Sequence, residues 1–265
     1  MIPTLQLTSI HLRVRDLARS LDFYTRQLGF VVLTADATAA TLATAPGSPG
    51  LLQLAAAPSA PIASADAAGL FHAALLFPNR AALGRWLRRA ADLGVAFDGF
   101  SDHGVSEAIY FNDADGNGLE FYSDRPRDQW PKTDGDNLAM FTRPLDLPGL
   151  LAAAADAPVN ADAPPLADAR WGHLHLRVTE LDRAQEFYDR TLGTRLMVSL
   201  GDSARFLAAD GYHHHLGLNT WTRSRRAQPP GALGLASATF ALRGTGAPQT
   251  LHDPDGIALH ITDWT

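Results

Sequence analysis

Cysteine is absent from this chain of 265 residues. Its absence excludes disulfides, thiolate metal sites and a catalytic thiol. Long apolar runs are missing as well, since no stretch approaches the roughly 18 apolar residues of a membrane-spanning helix. The opening residues, MIPTLQLTSIHLRV, also lack the charged and apolar regions of a secretory signal. We therefore expect a cytoplasmic protein that makes no use of a membrane.

An excess of basic residues is also lacking. Lysine and arginine number 22 against 28 aspartates and glutamates, and the isoelectric point is near 5.9. This balance gives no support to nucleic-acid binding, and no basic cluster indicates a membrane-surface patch. Small neutral or anionic molecules remain as partners.

Two phrases occur twice in the chain. Residues 10–29 (IHLRVRDLARSLDFYTRQLG) and 174–193 (LHLRVTELDRAQEFYDRTLG) match at 11 of 20 positions. Residues 113–124 and 253–264 repeat the end of each half. Repetition on this scale indicates that each half is one copy of a larger unit.

The repeat also predicts the domain boundaries. A chain of this length exceeds one small core and favours two domains. We place them at residues 1–125 and 170–265. Between them, residues 126–169 are rich in Pro, Ala and Asp, which is typical of a linker laid over the surface.

A shorter cycle recurs within the first half. Residues 9–14 alternate between apolar and polar side chains, which predicts a half-buried strand. Asp16 then caps a helix that Gly29 ends, and short apolar runs follow. A second cycle starts at residues 69–77, with Asn79 and Gly94 bounding its helix. Each cycle therefore consists of a strand, a helix and three strands.

These cycles predict an α+β fold. We expect tandem βαβββ modules paired into two cup-shaped domains. The second domain is truncated in its last module, because the second half has far fewer residues after its matched strand than the first half has.

Three residues occupy matched positions in the cycles. His11 and His72 lie in the opening strands of the first and second cycles, and Glu120 lies in the closing strand of the second. Each alternates with apolar neighbours and so faces away from the helix-covered side. Two imidazoles and one carboxylate form the ligand set that holds non-haem Fe(II) and leaves positions open. Convergence of the three would indicate a metal-dependent oxygenase, although Glu120 could instead pair with Arg13.

At this point the chain resembles the vicinal oxygen chelate superfamily, which comprises glyoxalases, bleomycin resistance proteins and extradiol dioxygenases. Within it, the chain is similar to two-domain catechol 2,3-dioxygenase-like proteins. The resemblance rests on the His, His, Glu set and on several phrases, which are HLRVRDLARSLDFYTRQLG, DADGNGLEFY, SDHGVSEAIYF, GLEFYSDRPRDQW and GYHHHLGLNTW. It covers nearly the whole chain except the linker.

The resemblance implies an extradiol dioxygenase that cleaves a small catechol or hydroquinone with O2. His11, His72 and Glu120 would hold Fe(II), or Mn(II) as in some relatives. His103 would be the acid/base that steers oxygen, and Tyr110 would bond to the substrate oxygen. Imidazole and phenol groups are chemically suited to these roles. A homodimer is an expectation from the family alone.

Two other functions stay open. Glyoxalase-type lyases or isomerases and antibiotic-resistance transferases generally use a fourth protein ligand, usually a carboxylate, where this chain has Gln53. A metal-free protein that binds an aromatic ligand is the other alternative. The chain also departs from many ring-cleaving relatives, which carry a further histidine near the position of Ala57.

The second half has lost part of the ligand pattern but is rich in histidine. Ser237 stands opposite His72 in the repeat, and His260 replaces Glu120. A second metal site is one hypothesis, and a wall or lid role for GYHHHLGLNTW is favoured over it. The hypothetical site would use His175, one of His213, His214 and His215, and His260.

Overall fold

The computed structural model describes residues 4–64, 66–135, 137–156, 163–222 and 226–264. No helix in these ranges is long and apolar enough to cross a lipid bilayer. The chain folds as four consecutive modules that build two curled sheets, so the expected α+β class is confirmed.

The first half contains two complete modules. The first consists of β1 (Leu5–Val14), α1 (Leu17–Asp22), a π-helical turn (Phe23–Leu28), β2 (Val31–Ala35), β3 (Ala39–Ala43) and β4 (Leu52–Ala56). The second consists of β5 (Gly69–Phe77), α2 (Arg80–Asp92), β6 (Gly99–Asp102), β7 (Ser106–Asn112) and β8 (Gly118–Asp124).

The second half contains one complete and one shortened module. The third module consists of β10 (Arg170–Arg177), α4 (Leu181–Leu192), β11 (Arg195–Leu200), β12 (Ala204–Ala208) and β13 (Leu216–Asn219). The fourth consists of β14 (Gly234–Leu242), β15 (Gln249–His252) and β16 (Ala258–Asp263). Over its described residues the last module has no helix, so the predicted truncation is confirmed.

Local sequence signals account for the helix boundaries. The side chain of Asp16 accepts a hydrogen bond from the backbone N–H of Arg19 and so caps α1. Asn79 caps α2 in the same way. Gly29 ends the first helical segment with φ of 99°, a left-handed conformation that glycine adopts without strain.

Each sheet combines one module from each half of the chain. The seven-stranded sheet has the order β15-β16-β14-β1-β4-β3-β2. The nine-stranded sheet has the order β11-β12-β13-β10-β5-β8-β7-β6-β9, in which β9 (Arg143–Pro144) is an added edge strand. The opening strands of two modules meet at the centre of each sheet. Thus β1 pairs with β14, and β5 pairs with β10, both antiparallel.

This pairing corrects the expectation that each half would form its own cup. Neither 1–125 nor 170–265 builds a paired sheet alone, because the first module joins the fourth and the second joins the third. The opening strand of a single module leaves backbone N–H and C=O groups unpaired along one edge, and pairing with another opening strand satisfies them. All opening strands carry similar patterns, so the repeat does not reveal which two will pair.

The predicted linker is more structured than its composition indicates. Residues 126–169 contain a 3₁₀ turn (Arg127–Gln129), β9 and a helix, α3 (Leu147–Asp156), while residues 157–162 lie outside the described residues. The helix is anchored on the second module, since Arg80 donates a hydrogen bond to the carbonyl of Gly149. Leu150 is fully buried.

The two sheets share one apolar core. Buried side chains from the helix-covered faces of both sheets and from the helices form a single cluster. A smaller cluster of Ala74, Leu76, Ala108 and Tyr122 lies apart from this core. Alternation along β5 places His72 on the same face as Ala74 and Leu76. This concave face therefore carries the polar side chains of the candidate site.

A buried tyrosine links modules in each half of the repeat. The hydroxyl of Tyr24 donates to Asp113 at 2.9 Å, and the hydroxyl of Tyr188 donates to Asp253 at 2.9 Å. Both carboxylates also accept backbone N–H groups within their own turns. The repeated Phe-Tyr and Asp-x-Asp-Gly phrases therefore correspond to the same hydrogen bond, which forms once in each half of the chain.

We expect Tyr24→Phe to lower the free energy of unfolding by about 1–2 kcal/mol, because a buried carboxylate loses a hydrogen-bond donor. Tyr188→Phe is the matched variant in the other half, with a similar expected loss. Urea denaturation of both variants measures the effect. Unchanged midpoints in both would show that the bond adds no net stability.

Candidate metal centre and ligand pocket

Strand register brings three ligand-type side chains together. In the nine-stranded sheet, Ala74 of β5 lies beside Glu120 of β8 on one side and opposite His173 of β10 on the other. Because alanine is small, the two longer side chains can meet over it. His72 lies two residues before Ala74 on the same face.

The resulting cluster is compact and buried. The Oε2 atom of Glu120 lies 2.9 Å from Nε2 of His72 and 3.2 Å from Nε2 of His173. One ligand-type atom from each of the three residues lies within 4.8 Å of the others. All three residues are buried, with exposed fractions of 6% for His72, 2% for Glu120 and 1% for His173.

Glycine at position 118 helps to place Glu120. A Cβ atom there would overlap the carbonyl oxygen of Phe71, so any larger residue would push β8 away from β5. Gly217 plays a comparable part on the other side, because a Cβ atom there would lie 2.8 Å from the ring of His175. Both glycines permit a close approach of strand and side chain.

Burial sets the protonation of the cluster. Burial lowers the pKa of His173 to about 4, which leaves the ring neutral at pH 7. Burial also lowers the pKa of His175 and His214 well below the ordinary value. For Glu120, burial raises the pKa, but attraction and hydrogen bonding from His173 and His72 outweigh it and hold the pKa well below its usual range. An ionised carboxylate therefore accepts from the Nε2–H groups of His173 and His72, and a bound cation would take the place of these protons.

The cluster fits a divalent metal ion. Two buried histidine nitrogens, Nδ1 of His173 and Nε2 of His175, have no hydrogen-bond partner among the described residues. Buried polar atoms normally have partners, and a bound ion is one explanation of such exceptions. Two imidazoles and a carboxylate are the donor set of non-haem Fe(II) sites. The donor set and the unpartnered nitrogen of His173 together fit a cation at this cluster.

A small cavity opens at this cluster. Its volume is about 330 Å³, at the lower end of the range of roughly 300–1,000 Å³ for small-molecule sites. Side chains from the second and third modules line it, and a segment from the predicted linker covers part of it. The lining residues are Phe71, His72, Ser101, His103, Ser106, Tyr110, Glu120, Met140, Phe141, Thr142, His175, Leu200, Phe206, His214 and Trp221. Aromatic walls around a polar base suit a single aromatic ring that bears polar groups.

His103 and Tyr110 both face this cavity and contact one another. The Nε2 atom of His103 lies 2.8 Å from the hydroxyl of Tyr110, and its Nδ1 atom lies 2.9 Å from the carbonyl oxygen of Phe141. Because a carbonyl only accepts, a neutral His103 carries its proton on Nδ1, and the Tyr110 hydroxyl donates to Nε2. Burial and the nearby Glu120 raise the pKa of Tyr110 well above its ordinary value, so the phenol keeps its proton.

His11 does not join the cluster, which corrects the expected triad. It lies on β1 in the seven-stranded sheet, where it faces Ser237 of β14 and Gln53 of β4. The reason is the pairing described above, since β1 joins the fourth module rather than the second. Burial, Arg13 and His260 lower the pKa of His11, and the described residues place no carboxylate group with it that could complete a metal cluster.

The same pairing separates the C-terminal histidines. His260 lies on β16 in the seven-stranded sheet, whereas His175 and the segment 213–215 belong to the third module and the other sheet. The hypothetical site that combines them is therefore wrong. His214 and Trp221 instead form part of the cavity wall, as expected for the phrase GYHHHLGLNTW.

Comparison with known proteins identifies the family of the chain. The family model described as the Glyoxalase/Bleomycin resistance protein/Dioxygenase superfamily matches residues 6–121. A protein named catechol-2,3-dioxygenase from Bacillus subtilis (strain 168) is 42% identical over 248 residues, which are 89% of this chain and 85% of that protein.

This chain belongs to the glyoxalase/bleomycin resistance/dioxygenase superfamily.

Solved structures show how far the superfamily fold extends. A Bacillus subtilis protein provisionally named a dioxygenase aligns with a TM-score of 0.65 at 14% identity, over 98% of this chain and 86% of that protein. Glyoxalase I from Zea mays aligns with a TM-score of 0.57 at 17% identity, over 98% of this chain and 92% of that protein. At such low identity these likenesses show the fold alone.

The structure explains two features of the sequence. His173 was missed as a candidate ligand, although HLHL places it two residues before His175 on the same face of a strand. The lack of a histidine at Ala57 does not count against the proposed site. Ala57 follows β4, and its backbone N–H donates to the carbonyl of Val14 in the region of the other sheet.

We expect the metal-free protein to lose stability as the pH falls from about 6.5 towards 4. The pKa of His173 is about 4 and that of His215 about 3 in the folded state, below the ordinary 6.5. Between these pH values the unfolded chain binds protons at the two histidines, whereas the folded protein keeps both rings neutral. Each such group removes about 1.4 kcal/mol per pH unit within this window.

Urea denaturation in EDTA at pH 7.5, 6 and 5 measures this loss. His252→Gln is the control, because His252 is exposed on β15 and its removal should leave the pH profile unchanged. A flat profile in the wild-type protein would contradict the predicted burial of neutral histidines.

Proposed function

We propose that this protein is an extradiol dioxygenase that opens the ring of a small catechol or hydroquinone with O2. The main support for this proposal is the buried cluster of His72, Glu120 and His173 at the base of a small aromatic-walled cavity. The 42% identity to a protein named catechol-2,3-dioxygenase supports the same reaction class. Fe(II), with Mn(II) as the alternative, matches the donor set.

The proposed metal ligands are His72, Glu120 and His173. When bound, Fe(II) or Mn(II) would supply Lewis acidity that lowers the pKa of the diol and a template that keeps diol and O2 adjacent. Glu120 would supply negative charge, and the imidazoles would turn lone pairs to the cation once the Nε2 protons that face Glu120 are released or moved to the other ring nitrogen.

The remaining polar groups of the cavity would manage protons. Tyr110 already donates its hydroxyl proton to Nε2 of His103, so the phenol oxygen has lone pairs to accept a proton from a diol hydroxyl. Transfer of that proton to the phenol, coupled to transfer of the phenol proton to His103, would leave the charge on an imidazolium. The carbonyl of Phe141 accepts from Nδ1 and keeps this ring in place.

Aromatic side chains would position the ring and limit its size. Phe71, Phe206 and Trp221 stand on one part of the wall, and Phe141 stands beside His103. The cavity of about 330 Å³ accommodates one ring with short substituents more readily than a fused aromatic system. Such walls also exclude water from the reacting groups.

The glyoxalase-type alternative finds less support. It needs a fourth protein ligand, and Gln53, the residue offered by the sequence, lies beside His11 on the other sheet. The cluster found among the described residues contains one carboxylate. Metal-free binding of an aromatic ligand would leave the unpartnered nitrogen of His173 unexplained.

Anaerobic loading with Fe(II), followed by a panel of catechols and hydroquinones and then by O2, tests the reaction. We expect a yellow ring-fission product and consumption of one O2 per ring, because both oxygen atoms enter the product. Loading with Mn(II) and with Zn(II) provides parallel samples. Failure of every diol to react in both the Fe(II) and Mn(II) samples would sink the proposal.

Ligand variants test the assignment of the metal centre. We expect His72→Ala, Glu120→Gln and His173→Ala each to reduce bound metal at least tenfold, with ring cleavage lost in proportion, since each removes one donor of three. His11→Ala is the matched control and should keep wild-type metal content. Metal analysis after gel filtration gives the stoichiometry.

His175→Ala tests which histidine of β10 is the third ligand. The Nε2 atom of His175 is also buried and unpartnered, but His175 lies outside the compact group. We expect this variant to retain metal. Loss of metal in His175→Ala together with retention in His173→Ala would show that His175, not His173, is the third ligand.

Removal of the proton acceptor should slow turnover without emptying the site. We expect His103→Ala to lower kcat by roughly 100-fold or more, the usual scale of general acid–base catalysis, while metal content changes little. Tyr110→Phe should show the same separation, because it breaks the path to His103. Parallel losses of metal and kcat would indicate a structural role for His103 instead.

A further inference from the structure

A row of hydrogen bonds leads from the end of β8 into the wall of the cavity. The Oδ1 atom of Asp124 lies 2.8 Å from Nε2 of His213, and Nδ1 of His213 lies 2.7 Å from Nδ1 of His214. His213 is completely buried, whereas the side chain of Asp124 is 25% exposed. His214 lines the cavity at the metal cluster, while Asp124 lines a separate cleft.

The starting point of this row is held firmly. The hydroxyl of Tyr212 donates to Asp124 at 3.0 Å, and the hydroxyls of Tyr212 and Tyr122 lie 2.9 Å apart. Ring contacts from Tyr122, Trp130 and Tyr212 surround His213. Both hydroxyls and the carboxylate are therefore committed to a network that the proposed mechanism does not use.

Hydrogen-bond chemistry gives this row a direction. A carboxylate only accepts, so Nε2 of His213 carries the proton that faces Asp124. A His213 ring that carries this single proton accepts at Nδ1. The facing Nδ1 of His214 must carry the proton between the two rings, since two lone pairs 2.7 Å apart would repel.

This placement of protons determines whether Nε2 of His214 donates or accepts. With its proton on Nδ1, the neutral ring has a bare lone pair on Nε2. No hydrogen bond to this Nε2 is found among the residues that the structure describes. The ring packs 4.0 Å from that of His173 and 5.0 Å from that of Phe206, measured between centroids. These contacts fix the ring beside the metal cluster and the aromatic wall.

We propose that Asp124 and His213 fix His214 as a hydrogen-bond acceptor that receives a phenolic hydroxyl of the bound ligand. Asp124 and His213 are positioning residues, and His214 contacts the ligand. The choice of a phenolic ligand rests on the proposed function, whereas the placement of protons along the row does not. His214 would thus favour rings that present a hydroxyl donor at this part of the wall.

Nitrogen NMR of the full-length protein tests the proton placement. Histidine labelled with ¹⁵N in the ring distinguishes protonated from bare nitrogens, and His214→Gln identifies the signals of residue 214. The metal-free and Zn(II)-loaded proteins serve as samples, because Zn(II) has no redox chemistry. We expect a protonated Nδ1 and a bare Nε2 in His214 of the wild-type protein.

A matched pair at position 213 tests the role of the row. In His213→Asn the amide oxygen lies near the former Nδ1 and can accept from His214, so the wild-type pattern should persist. In His213→Leu no acceptor remains, and His214 should show a mixture of tautomers. Asp124→Ala should resemble the leucine variant. A proton on Nε2 of His214 in the wild-type protein, or identical patterns in all variants, would overturn the proposal.

Binding of catechol to the Zn(II)-loaded protein without O2 tests the contact with ligand. We expect His214→Phe to weaken catechol binding about tenfold, the effect of removing one buried hydrogen bond, with zinc content unchanged. His214→Gln places an amide oxygen near the former Nε2 and should restore most of the affinity. Loss of zinc from His214→Phe, or wild-type affinity in that variant, would contradict the proposed contact.

The two proposals fail in different ways. A wild-type protein that opens catechol rings but carries the His214 proton on Nε2 would sink the inference about His214 alone. A protein with the expected tautomer that neither binds nor opens any diol would sink the proposed function and the phenolic ligand with it.

Discussion

The antiparallel pairing of β5 with β10 is the constraint on which the candidate site depends. It places Ala74 between Glu120 and His173 and sets His72 opposite His175. A slip of β10 by one residue would turn His173 and His175 to the other face of the sheet. The apolar cluster on the helix-covered side opposes such a slip, because it would bring the polar residues into the core. Packing of the core thus fixes the geometry of the polar cluster.

That geometry has an energetic cost. A buried carboxylate with several neutral imidazoles, some of them without partners, is unfavourable unless charge and hydrogen bonds compensate. The large shared core and the two tyrosine–aspartate links between modules offset it. A cation bound at this cluster would offset part of the cost, and its affinity would then be coupled to the stability of the fold. The site is accordingly held by the fold rather than by its own internal contacts.

The two sheets differ in the polar side chains that they carry. The nine-stranded sheet carries the buried cluster, and the segment 140–142 from between the second and third modules covers part of its cavity. The seven-stranded sheet keeps His11 and His260 but has serine and glutamine in place of the other ligands. Among the described residues, the compact group of ligand-type side chains therefore lies on the nine-stranded sheet. The row from Asp124 to His214 adds a polar layer to the nine-stranded sheet.

The sequence by itself determined the modules, their helix caps and the truncation of the last module, because periodicity and capping residues act locally. It also identified His72, Glu120, His103 and Tyr110, which all belong to one module and meet in the cavity. Only the tertiary structure decided which modules pair, and with that it placed His173 rather than His11 beside His72 and Glu120. Opening strands with similar patterns compete for the same partner, and the winner depends on the packing of the whole chain, which no local pattern records.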